Sequence, residues 1–154
     1  MTLEDLLQRD GRLVYKTRGV SMEPMLRQNR DLVIIQVPAS RLKKYDVALY
    51  KRGKAYILHR VIEVKGDYYF IRGDNTFFPE RISDDDVIGV LSAFQRKGKQ
   101  YKVTDRGYLI YARVWCAIYP LRRCCYQLRC FAVGVVRGLG IMPVMKKIRD
   151  RKEK

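Results

Sequence analysis

Apolar side chains recur at every second position over much of the first hundred residues, and a period of two predicts strands. The runs are Arg12 to Thr17, Asp31 to Val37, Asp46 to Lys51, Tyr56 to Val64, Tyr68 to Arg72, Val87 to Phe94 and Tyr101 to Thr104. Each is short, rich in β-branched or aromatic residues, and broken by Gly, Pro, Asp or Asn. Gly66-Asp67 between two of them reads as a two-residue hairpin turn. Seven such strands predict a mainly β domain that closes on itself or folds as a small sandwich or barrel.

Helical patterns flank the strands. Thr2, followed by Glu4, Asp5 and the leucines Leu3, Leu6 and Leu7, predicts a short helix with acid in its first turn, ending near Gly11. From about Gly107 turn residues thin out and the residue types favour helix, with Pro120 and Pro143 as breaks. At about 100° per residue, Arg122, Arg123, Gln127, Arg129 and Arg137 share one arc. Cys124, Leu128, Phe131, Val135, Val136 and Leu139 take the opposite side, so the helix is amphipathic with an arginine face. The expected organisation is a β domain over residues 1–105 and a basic helical extension over 106–154.

Charge sharpens that division. The chain has 154 residues and a formal net charge of +16, with 47% apolar side chains, enough for a packed core. Residues 1–95 hold 16 basic and 13 acidic side chains, whereas residues 96–154 hold 16 basic and 3 acidic. So basic a segment calls for an anionic partner. Trp115, Tyr119, Tyr126 and Phe131 among the arginines favour a lipid interface. The expected partner is thus an anionic membrane surface, bound through 107–152 and peripherally at the cytoplasmic face, with no nucleic acid expected. The charged N-terminus has no apolar core of a signal peptide, and no later stretch is expected to span a membrane, since arginines at 113, 122, 123, 129 and 137 interrupt the C-terminal part.

Cys116, Cys124, Cys125 and Cys130 show no Cys-x-x-Cys spacing, and His59 is the sole histidine, so no metal or other cofactor is expected. The cysteines are expected to be reduced and to serve as small apolar fillers on a buried face.

Four residues carry candidate chemistry. Ser21 lies in Gly19-Val20-Ser21-Met22-Glu23-Pro24, where Gly19 permits a tight path and Pro24 stiffens the exit. His59 lies in a strand whose alternation places it on one face with Ile57 and Val61. Asp74 sits in the turn of Ile71-Arg72-Gly73-Asp74-Asn75-Thr76, and Glu80 follows six residues later. Taken singly, these read as a turn serine, a packed histidine and turn acids.

Their order and contexts together resemble the signal peptidase I family. The match runs through Ser21-Met22-Glu23-Pro24, Asp31, Asp46-Val47, His59-Arg60-Val61-Ile62, Gly73-Asp74-Asn75 and Asp86-Val87-Ile88-Gly89, over roughly residues 12 to 95. The resemblance implies the β-barrel-type fold shared by signal peptidases and self-cleaving repressors. It also implies a serine endopeptidase of the histidine subgroup, with Ser21 as nucleophile and His59 as base. Asp74 and Glu80 become candidates for orienting the imidazole, and the Ser21 N–H becomes an oxyanion donor. The implied substrate is a leader or signal segment bound as an extended strand. Two other readings stand beside it: a self-cleaving repressor-type peptidase, and a non-catalytic protease-fold module held to lipid or RNA by its basic tail.

Overall fold

The structure is a computed structural model that describes residues 2–138, the last four as backbone only. Pro143, Leu139 and the basic tail after Met145 lie outside the described residues, as do the side chains of Val135, Val136 and Arg137.

The chain opens with α1 (Leu3–Asp10), capped as expected: Thr2 Oγ1 accepts from the Asp5 N–H, Asp5 returns the bond, and Gly11 closes the helix in the left-handed conformation. Eight strands follow: β1 (Arg12–Lys16), β2 (Leu32–Gln36), β3 (Val47–Arg52), β4 (Ala55–Lys65), β5 (Tyr68–Arg72), β6 (Glu80–Ser83), β7 (Val87–Arg96) and β8 (Lys99–Lys102). The turn at Gly66-Asp67 joins β4 to β5 as predicted. The strand β6 is additional to the seven read from the sequence. Its four residues Glu-Arg-Ile-Ser carry one apolar side chain deep enough to be buried, Ile82, too little for a period to register.

All strand pairs are antiparallel, in the order β1-β2-β7-β3-β4-β5-β6, with β8 on the far half of β7. The expected closure into a barrel is not found. The sheet is open, with β1 and β6 at its ends. Long β7 explains the shape: Val87 to Val90 pair with β3 and Val90 to Gln95 with β2, so the sheet bends around one strand instead of sealing. Alternate residues of β3 feed two cores. Val47 and Leu49 join Leu13, Val33, Ile35 and Leu91, while Ala48 and Tyr50 join Val61, Tyr69, Ile71 and Ile82.

After β8 come α2 (Arg106–Ala117) and α3 (Tyr119–Gly138). Tyr108 and Ala112, one turn apart on α2, are buried in the first core. One compact unit runs through Cys116, and a second starts at Ala117. Along α3 the side chains from Leu121 to Gly134 are exposed, apart from half-buried Arg122. This corrects the expectation for the cysteines: Cys124, Cys125 and Cys130 are exposed free thiols, and Cys116 alone is half-buried. Among the described residues no helix is long and apolar enough to cross a membrane.

Candidate active site

Ser21 and His59 come together through Gly73. Ser21 begins the turn after β1, and His59 sits midway along β4, paired with Ala48 of β3. A β-carbon built on Gly73 would lie 3.0 Å from Ser21 Cβ and 3.1 Å from His59 Nε2, so the two side chains face one another across the width of a methyl group. The same added carbon would stand 2.6 Å from the Ser21 carbonyl oxygen, closer than any non-bonded carbon can approach. Only glycine allows this convergence. Among the described residues no hydrogen bond joins Ser21 Oγ to the imidazole.

The Gly73-Asp74-Asn75 turn also fixes the serine backbone. The Asn75 N–H donates to the Ser21 carbonyl at 2.7 Å, and the Asn75 side-chain amide donates to the Val20 carbonyl at 3.2 Å. The turn itself is anchored from behind. Arg60 donates twice to Asp74, Nε to Oδ1 and Nη2 to Oδ2, both at 2.8 Å, in a pair almost wholly out of solvent. From α2, the Tyr111 hydroxyl donates to Asp74 Oδ2 at 3.0 Å and Trp115 Nε1 donates to the Asp74 carbonyl at 2.9 Å. The guanidinium is completed by the Tyr45 carbonyl and the Tyr108 hydroxyl. Burial opposes the Arg60 charge, yet Asp74 more than offsets it and raises the pKa.

The Asp74 carboxylate is bonded to Arg60 and Tyr111, and its charge acts to raise the His59 pKa, which burial lowers. The Trp115 indole is bonded to the Asp74 turn and stacked on Tyr111.

His59 is held by Tyr50. Tyr50 lies opposite Ile57 and His59 opposite Ala48, so they are diagonal neighbours on one face of the β3–β4 ladder, their ring centroids 5.9 Å apart. The Tyr50 hydroxyl is 3.2 Å from His59 Nδ1 and donates to Glu80 Oε2 at 3.0 Å. A carboxylate only accepts, so the single hydroxyl proton goes to Glu80 and the oxygen accepts from Nδ1–H. That fixes the neutral tautomer with its lone pair on Nε2, the nitrogen facing Ser21. Glu80 Oε1 is 3.9 Å from Nδ1 and receives Arg52 Nη1 at 2.8 Å. Burial lowers the His59 pKa; Glu80 pulls it back up and Arg52 pushes it down. Burial together with the bond to Glu80 pushes the Tyr50 phenol upward, which keeps its proton in place.

Compared with known proteins, the chain matches no family model and no curated sequence.

A cleft of about 890 Å³ opens beside Ser21 and His59. It is lined by Tyr15 to Gly19 at and after the end of β1, by Ala55 to Leu58 of β4, and by Met22, Leu26 and Thr76. Burial of the Tyr15 phenol raises its pKa to about 12. Tyr50, Arg52 and the α2 aromatics were invisible as site residues in the sequence. The period of β3 did place Tyr50 on a fixed face, but nothing local shows that this face meets His59.

Proposed function

We propose that this chain is a serine endopeptidase of the signal-peptidase type, with Ser21 as nucleophile and His59 as general base. The observation that carries the reading is the double tie of the imidazole: Nε2 faces Ser21 across Gly73, and Nδ1 is held by Tyr50 on Glu80. Supporting it, burial holds the imidazole below its ordinary pKa, so it is neutral and able to accept a proton at pH 7. The Ser-Met-x-Pro turn and the Gly-Asp-Asn turn, two of the stretches on which the resemblance to signal peptidases rests, are in mutual contact, which supports the reading.

In this reading a peptide lies extended in the cleft against the free edge of β1, with main-chain bonds giving grip and side pockets giving choice. By the same resemblance the substrate is a leader or signal segment with small residues before the cut. Ser21 Oγ attacks the scissile carbonyl carbon as its proton passes to His59 Nε2. The Ser21 N–H, which has no acceptor among the described residues, faces the developing oxyanion. Collapse of the tetrahedral intermediate breaks the C–N bond, and the imidazolium returns its proton to the leaving amine. Water, activated by the same nitrogen, then releases the acyl group from Ser21. Tyr50 and Glu80 steady the imidazolium formed in each half, a role often filled by one direct carboxylate.

The test is mass-spectrometric cleavage mapping on a panel of leader and signal peptides. Wild-type protein should yield one dominant cut, and Ser21→Ala and His59→Ala should each abolish it. Cleavage that survives either substitution sinks the proposal, and a panel left wholly uncut favours the non-catalytic module instead.

A further inference from the structure

The helix α3 buries none of its apolar side chains among the described residues, although it is twenty residues long. Leu121, Leu128 and Phe131 are 66%, 63% and 73% exposed. At about 100° per residue these three, with Cys124, Cys125 and Ala132, occupy one arc of about 120°. Arg122 and Arg129 border that arc on one side, Gln127 borders it on the other, and Arg123 and Cys130 lie on the opposite face. From Arg106 to Gly138 the sequence has six arginines and no Asp, Glu or Lys.

We propose that α3 is a docking surface for the anionic headgroup layer of a lipid bilayer, lying along it with Leu121, Cys124, Cys125, Leu128 and Phe131 toward the acyl chains. Charge selects this occupant. A second copy of α3 would bring arginines against arginines, and a nucleic acid would satisfy the arginines but leave the apolar arc in water. An anionic bilayer offers phosphate at the depth of the arginines and hydrocarbon at the depth of the leucines. The surface is narrower than the sequence implied. It begins at α3, because the aromatic face of α2 is spent on Arg60 and the Asp74 turn. The inference does not depend on peptidase activity.

Full-length protein carrying Ser21→Ala, so that no cleavage intervenes, is centrifuged with phosphatidylcholine vesicles containing or lacking phosphatidylglycerol. It should sediment with the anionic vesicles at low salt, be released by high salt, and ignore the uncharged ones. Replacing Arg122, Arg123 and Arg129 together by Gln should weaken partitioning on the order of a hundredfold. The cysteines report the orientation. On vesicle addition, alkylation of Cys124 and Cys125 by a water-soluble maleimide should slow about tenfold, whereas Cys130 on the arginine face stays reactive. The substituted positions lie outside the β unit's core, so an unchanged urea midpoint certifies the fold. Absence of sedimentation at low salt, equal binding to uncharged vesicles, or equal shielding of all three cysteines overturns the proposal. So does an RNA gel shift or a stable dimer that persists when Leu121, Leu128 and Phe131 are all changed to Glu.

Discussion

Asp74 and Glu80 stand six residues apart along the connection from β5 into β6, yet they belong to opposite kinds of environment. Asp74 is sealed, paired twice with Arg60, and its whole surroundings converge on holding one turn against the Ser21 backbone. Glu80 is half-exposed, shared between Arg52 and Tyr50, and its influence is passed on to an imidazole. The first acid fixes where the serine is; the second bears on what the histidine does. Two identical functional groups take different surroundings because one meets a buried cation and the other an exposed arginine and a phenol.

The comparison rests first on the proposed reacting pair. Ser21→Ala or His59→Ala should cut turnover by about a thousandfold or more while leaving the urea midpoint nearly unchanged. Next comes the sealed acid. Asp74→Asn leaves Arg60 buried and half-paired, so unfolding free energy should fall by about 3–5 kcal/mol, read by urea denaturation. If that variant instead keeps its stability and loses only its pH dependence, the two acids have been assigned the wrong way round.

Gly73→Ala probes the junction between them. The added methyl must displace the Ser21 carbonyl, and a shift of that kind should cost about a hundredfold in kcat, with KM for a peptide much less affected. Smaller still is Tyr50→Phe, which removes the hydroxyl between His59 and Glu80 while keeping the ring. Turnover should fall about tenfold, the worth of one buried hydrogen bond, with stability nearly kept.

The subtlest effect is in pH. Since burial lowers the His59 pKa, the acid limb of kcat/KM should lie below 6.5, and Glu80→Gln, which removes an effect that raises it, should move the limb further to acid. Stability follows the same sign. The unfolded imidazole binds protons more readily than the folded one, so its contribution is present above pH 6.5 and lost as pH falls through the folded value. An acid limb above 6.5 contradicts both statements.

Much of this molecule is legible along the chain because it depends on neighbours in sequence. Period-two alternation located seven of the eight strands, Thr2 and Gly11 bounded α1, and the spacing of arginines defined the two sides of α3. Ser21, His59 and the Gly-Asp-Asn turn stood out through the order and context in which they occur together, which resemble the signal peptidase I family. What the tertiary structure alone decided is which groups meet. The diagonal of Tyr50 on His59 exists only once β3 and β4 are in register, and the capture of Asp74 by Arg60 only once the β5–β6 connection folds behind the serine turn. Hydrogen-bond partners are chosen by distances of about 3 Å between residues far apart in sequence, and local pattern carries no information at that range.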